Sequence, residues 1–272
     1  MKRTLAIVLS LAAAPAVAAD LPLWEAGAGV AVLALPDYRG ADEGRGYVLP
    51  LPYFVYRGEF LKADRHGVRG LLFDSERAEL DVSFFASLPV NSSDNAARAG
   101  MPDLEPSVEA GPLLKLRLWE STGGVRLDLR APLRAAFTVE SSPRAIGWVA
   151  TPHLNLDLPG RGALAGWSFG LLAGPVYGDR RQHAYYYSVA PQFATAARPA
   201  FAARGGYGGF QFLASASRRF ARTWVGAFVR ADTLRGAVFD ASPLVKRDSY
   251  FAAGIGISWV FDVSSRRVEA EE

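Results

Sequence analysis

The feature that most constrains this chain is a strict two-residue alternation between Val125 and Glu140. Val125, Leu127, Leu129, Ala131, Leu133, Ala135, Phe137 and Val139 share one face of an extended segment. Arg126, Asp128, Arg130, Pro132, Arg134, Ala136, Thr138 and Glu140 share the other. A helix would mix the two sets on every side. A strand in a soluble sandwich is about five or six residues long, and this run is far longer. Its length, with arginines confined to one face, fits a tilted strand between lipid and a polar lumen.

The preceding segment repeats the pattern. Val108, Ala110, Pro112, Leu114, Leu116 and Leu118 fall on one face, and Glu105, Ser107, Glu109, Lys115, Arg117 and Trp119 on the other. Ser121-Thr122-Gly123-Gly124 supplies turn chemistry between the two. Keeping both apolar faces together predicts a register with Leu116 opposite Leu129 and Arg117 opposite Asp128. A slip by one residue puts arginines into lipid, at about 2–4 kcal/mol each near the midplane.

Further extended segments are read at Trp24–Leu35, Tyr47–Tyr56, Phe60–Phe73, Ala78–Leu88, Ile146–Leu158, Gly162–Tyr177, Tyr207–Arg219, Ala221–Asp232 and Ser249–Phe261. Pro50 and Pro52 predict edge-like or bulged pairing in the second of these, and Gly67 predicts a kink in the third. The fold class expected is all-β, a transmembrane up-and-down antiparallel β-barrel. Single-chain bacterial barrels have an even number of strands. About twelve strands are expected, with the missing one at Tyr185-Tyr186-Tyr187, and ten is the alternative. Trp24, Tyr47, Trp119, Trp148, Tyr177 and Trp259 lie near segment ends, as interfacial girdles do.

Half the residues are hydrophobic, yet no segment beyond the N-terminus has the long unbroken apolar run of a membrane helix. At that N-terminus, Lys2 and Arg3 precede the apolar stretch Leu5–Leu11 and the small residues Ala16-Val17-Ala18-Ala19. Residues 1–19 read as a secretory signal peptide cleaved after Ala18 or Ala19. Residues 20–261 read as the barrel and 262–272 as a charged, disordered tail. The net charge of +3 includes Lys2 and Arg3 and carries no basic stripe for nucleic acid. The absence of cysteine excludes disulfides and thiolate chemistry.

Residues that could carry chemistry do not form a pattern. His66, His153 and His183 sit on separate segments without metal-ligand spacing. Ser83, His153 and Asp157 can be nominated as a hydrolase triad, but no Gly-x-Ser-x-Gly elbow selects them. Gly205-Gly206-Tyr207-Gly208-Gly209 lacks the lysine and helix of a phosphate loop and reads as a close backbone approach. No catalytic, cofactor or metal site is therefore expected, and the chain is not read as an enzyme. The charged residues Glu79, Asp81, Glu105, Glu109, Lys115, Arg117, Arg126, Asp128, Arg130 and Arg134 are placed inside the barrel, where they pair into a filling ladder. A mixed-charge solute path is the alternative.

The last strand ends Gly256-Ile257-Ser258-Trp259-Val260-Phe261, which resembles the glycine-aromatic-aromatic assembly signal of outer-membrane barrels. Four stretches resemble the MipA/OmpV family, the MltA-interacting outer-membrane proteins. They are Leu35-Pro36-Asp37-Tyr38-Arg39-Gly40-Ala41-Asp42, Leu51-Pro52-Tyr53-Phe54-Val55-Tyr56-Arg57-Gly58, Ala99-Gly100-Met101-Pro102-Asp103-Leu104-Glu105-Pro106 and Ser242-Pro243-Leu244-Val245-Lys246. The resemblance implies an outer-membrane location, lipid around the barrel and a scaffold role toward murein hydrolase and synthase enzymes. It brings no catalytic residue. On this reading Val90–Leu104 and Gly178–Gly206 are the candidate contact surfaces. A narrow passive channel for small solutes is the second reading.

Overall fold

The computed structural model describes residues 19–57, 61–64, 67–70, 73–75 and 77–270. The leader expected at residues 1–19 lies outside these except for Ala19, and His66 lies outside them too. In chain order the elements are β1 (Ala19–Pro22), β2 (Trp24–Pro36), β3 (Gly44–Arg57), β4 (Leu61–Asp64), β5 (Gly67–Gly70), β6 (Phe73–Asp74) and β7 (Ala78–Ser87). Next come β8 (Ser107–Glu120), β9 (Arg126–Thr138), β10 (Ala145–Ala150), β11 (His153–Pro159) and β12 (Trp167–Gly178). The helix α1 (Arg180–Tyr187) precedes β13 (Gly206–Arg219), β14 (Thr223–Thr233), β15 (Ser249–Val263) and β16 (Arg267–Ala270).

Each long strand pairs antiparallel with its sequence neighbours, and β15 pairs with β2, bringing the last strand of the sheet against the first. β10 and β11 are one strand interrupted at Thr151-Pro152, since both pair β9 and β12 in a single register. β4 and β5 form a short antiparallel pair beside the end of β3, and β6, next in the chain, pairs with β7. Among the described residues, β2 to β15 form one sheet of thirteen strands when β10/β11 count as one, with β4, β5 and β6 only two to four residues long.

The segment read at Phe60–Phe73 is split into these short strands, with Gly67 beginning β5. The strand expected at Tyr185-Tyr186-Tyr187 does not form; these residues close α1. The reason is local: Asp179 Oδ1 accepts a hydrogen bond from Gln182 N at 2.8 Å, capping a helix that the tyrosines then finish. Among the described residues, β3 pairs with β4 only at Tyr56 and Arg57, so above that point it is an edge, as its prolines require.

The expected register holds: Leu116 stands opposite Leu129 and Arg117 opposite Asp128. One step later Trp119 stands opposite Leu127, so Leu118 is an extra residue in a β-bulge. The bulge overturns one assignment. Trp119, placed on the lumen face by simple alternation, turns outward and is 53% exposed, beside Leu118 at 52%.

The outer wall is otherwise apolar as alternation predicts. Val30, Val32, Leu114, Leu133, Phe137, Phe251, Ile255, Ile257, Trp259 and Phe261 all project outward. No described helix is long and apolar enough to cross a membrane, which says nothing of a β-barrel; the outward side chains of the strands form an apolar belt. Residues 264–270 are not loose. Arg267–Ala270 pair in register with Ala19–Pro22, tying both described ends together below the barrel.

The antiparallel order puts these ends and the short connections 121–125, 160–166 and 220–222 at one mouth. The long connections 37–43, 88–106, 179–205 and 234–248 leave from the other.

Candidate functional site

A barrel of this kind spends its apolar residues on lipid and its polar residues on the lumen, so an apolar core has to form elsewhere. It forms in the long connections. Tyr38, Val90, Leu104, Tyr187, Val189, Leu234, Phe239 and Leu244 are buried together with neighbouring alanines, with Leu234, Phe239 and Leu244 fully inaccessible. Tyr187 and Phe239 stack at 3.7 Å between ring centroids. The four long connections therefore make a packed cap over one mouth.

Polar bonds cross-link the cap. Tyr38 Oη donates to the Leu244 carbonyl at 2.8 Å, Tyr187 Oη to the Arg39 carbonyl at 3.0 Å, and Ser242 Oγ to the Tyr187 carbonyl at 2.7 Å. The amides of Lys246 and Arg247 both donate to the Gly40 carbonyl. Asp37 accepts from Arg45 Nε and from Asn95 Nδ2, joining the first connection to the second. The buried Arg98 donates to the Pro102 and Tyr186 carbonyls and lies over the Tyr38 ring, and burial lowers its pKa from the ordinary arginine value. Burial also pushes the Tyr185 phenol up to about 12.

Three of the four stretches that carry the family resemblance meet in this cap. They supply Tyr38 to Ala41, Leu104, and Ser242 to Val245. The fourth, Leu51 to Arg57, forms the lower part of β3.

One cap residue reaches down into the barrel. Arg39 Nε donates to Asp232 Oδ2 at 2.9 Å and to Tyr250 Oη at 3.1 Å, and its Nη1 donates to the Gly208 carbonyl at 2.9 Å. Asp232 is also held by Arg230 through bonds of 2.7 and 2.8 Å. Burial opposes the charge of Arg39, but Tyr250, Tyr187 and Asp232 outweigh it and hold the guanidinium above its usual range. The glycines beside it permit the approach. Gly209 has φ +101°, and a Cβ there would press on the Thr233 carbonyl, while Gly205 backs onto Arg180 N. The reading of this glycine cluster as a close backbone approach holds.

Below the latch, the lumen carries the charged ladder read from the sequence. Lys115 Nζ lies 3.2 Å from Glu79 Oε2 and 3.9 Å from Asp128 Oδ2. Arg130 Nη2 bridges Asp128 and Asp157 at 3.2 Å each, Asn155 Nδ2 donates to Asp157, and Arg134 Nε meets Glu109 at 2.9 Å. Arg219 pairs with Glu25 at 2.8 Å toward the short-turn mouth. Two expected members depart from the ladder: Glu105 precedes β8 in the cap, where its carbonyl accepts from Tyr185 Oη, and Arg117 pairs with Glu120 at the strand end. Buried pairs of this kind roughly balance their desolvation cost, so the ladder adds specificity of register more than net stability.

The nominated triad does not assemble. The Asp157 carboxylate is engaged by Arg130 and Asn155, and His153 Nδ1 bonds the Thr151 carbonyl at 2.7 Å. His183 lies in α1 against Phe239, with its Nδ1 on the Arg204 carbonyl. Among the described residues no cluster of three or more His, Asp or Glu could hold a metal ion.

The cap and its latch were invisible to pattern reading, because their partners are distant in sequence. The available signal was the motif Asp37-Tyr38-Arg39-Gly40, which places a cation and a turn glycine just beyond a strand. No curated protein matches the chain. A family model described as MltA-interacting protein MipA matches residues 28–261, from the second strand to the end of the last long one. The chain is therefore a member of the MipA family.

Proposed function

We propose that this protein sits in the outer membrane and acts by contact rather than by conduction, with periplasmic murein enzymes as its partner class. The family description, MltA-interacting protein, supports the partner class. The leader read from residues 1–19 of the sequence, the apolar belt and the terminal strand support the location. One observation carries the preference for contact: the cap and the Arg39–Asp232–Tyr250 node sit across the long-loop mouth.

Outer-membrane barrels keep short turns in the periplasm and long loops outside. On that orientation the capped mouth faces outward, so the connections within Val90–Leu104 and Gly178–Gly206 are cap material far from periplasmic partners. The contact surface then moves to the short-turn mouth: Ser121–Gly124, Gly160–Gly166, Phe220–Arg222 and the β1–β16 pair. Arg161 and Arg222 stand exposed there.

The test is co-purification of murein enzymes with full-length protein. Arg161→Glu with Arg222→Glu is expected to lower recovery, while deleting residues 91–103, whose flanks Val90 and Leu104 already pair, leaves it unchanged. Recovery lost only with the deletion overturns the assignment.

A cavity in the lumen favours one alternative, a narrow channel gated at the latch. Purified wild-type protein that conducts in planar bilayers would support that reading against contact alone.

A further inference from the structure

The lumen is not filled evenly. Apart from the Arg219–Glu25 pair at the short-turn mouth, the ladder occupies the wall from β7 to β11, and a cavity of about 450 Å³ opens between it and the facing wall from β12 round to β3. Protein interiors leave few voids larger than a water molecule, and this one is within the size range of small-molecule sites.

The facing wall is built to keep the space open. At Gly254 a Cβ would lie 2.5 Å from Leu33 Cδ2 and 2.6 Å from Phe228 Cε1, and at Gly256 it would lie 2.8 Å from Leu51 Cδ2. At Gly226 it would collide with the Trp224 indole. The glycines let Leu33, Leu51, Trp224 and Phe228 lie flat along the wall. Across from them the cavity is lined by Arg130, Asn155 and Asp157. Arg130 meets Asp128 and Asp157 through Nη2 alone, with Nη1 in neither pair. Its exposed face thus offers one cation and one anion 3.2 Å apart, opposite an aromatic and aliphatic surface.

We propose that this cavity binds a small zwitterion with an apolar body, of the aromatic amino acid class. The carboxylate lies toward Arg130, the ammonium toward Asp157, and the body against Trp224 and Phe228. No cap residue lines the cavity, whereas Ser168, Ser217 and Trp224 carry it down to within a few residues of the short turns. The ligand therefore enters from the short-turn mouth and stops below the latch. This site stands independently of the partner-contact reading.

The experiment uses full-length protein in lipid nanodiscs, titrated calorimetrically with L-phenylalanine, with toluene as body alone and glycine as head alone. L-phenylalanine is expected to bind, with toluene and glycine each at least tenfold weaker. Ser217→Phe, which fills the void, and Asp157→Asn, which removes the anion, are each expected to weaken binding at least tenfold with the strand circular dichroism unchanged. Ser217→Leu serves as the filling variant if Ser217→Phe does not insert. Absence of L-phenylalanine binding at millimolar concentration overturns the proposal. So does toluene binding as tightly as L-phenylalanine with no effect of Asp157→Asn.

Discussion

Arg39→Ala is the sharpest test of the cap as a latched element. The substitution removes an ion pair of 2.9 Å to Asp232 and hydrogen bonds to Tyr250 and the Gly208 carbonyl. It leaves a carboxylate whose side chain is wholly inaccessible. Breaking a buried pair by deleting one partner costs about 3–5 kcal/mol. Two facts reduce that figure here. Arg230 still holds Asp232 through two bonds, and the Arg39 side chain is 24% exposed. The expected loss is about 2–3 kcal/mol, and at 1.4 kcal/mol per factor of ten the displaced-cap population rises roughly 30- to 150-fold.

The absence of cysteine makes that population measurable. Ala203 is 1% exposed within the cap, so Ala203→Cys reports opening through its rate of maleimide labelling. Arg39→Ala in that background is expected to label roughly 30- to 150-fold faster. Arg235→Ala provides the control. Its pair with Asp248 is largely in water, at 77% and 53% exposure, and such pairs are worth about 0–1 kcal/mol. Labelling rates for Arg39→Ala and Arg235→Ala that agree, with intact strand circular dichroism, would refute the latch.

Two further outcomes follow from the same geometry. Ile255→Arg, on the outward face in the middle of β15, is expected to cost about 2–4 kcal/mol in folding into lipid vesicles, and Val263→Arg at the strand end under about 1 kcal/mol. Equal costs, read from urea-unfolding midpoints, would contradict the lipid belt. His183 tests the cap by pH. Burial lowers its pKa, and Arg39 adds to this, against the Arg204 carbonyl and Asp179; Tyr187 and Phe239 pack on its ring. With the folded pKa below the unfolded value of about 6.5, the opened cap binds more protons, so cap stability is full above that value and falls as pH drops through it. Ala203→Cys labelling, corrected for thiol ionisation, is expected to accelerate below about pH 6.5, and His183→Gln to remove that acceleration. A pH step that survives His183→Gln counts against this.

The strands were legible because their two faces differ, apolar outside and charged inside. That difference fixes the parity of most positions, which is why the Leu116–Leu129 and Arg117–Asp128 register follows from the sequence. Alternation fails where the backbone changes the count. The Leu118 bulge moved Trp119 across the wall, and no side chain near it announces an extra residue. The three tyrosines at 185–187 failed differently. Strand propensity pointed one way, but the cap from Asp179 and the burial of Tyr187 on Phe239 decided for helix. The charged ladder was legible as a list but not as a half-lumen, because sequence shows which residues face inward and not how far apart opposite walls stand.

Three of the stretches that resemble the family meet in the cap, within a family match that runs over residues 28–261. Outward positions need only be apolar and lumen positions need only balance charge, so many sequences satisfy either requirement. The cap has no such tolerance. Tyr38 reaches Leu244 across 206 residues of sequence, and Arg39 reaches Asp232 across 193. Each contact fixes both partners, and a motif at one end is meaningful only with its counterpart at the other. Three stretches far apart in the chain thus converge on one buried cluster, and the closed mouth rests on contacts that no single segment could make alone.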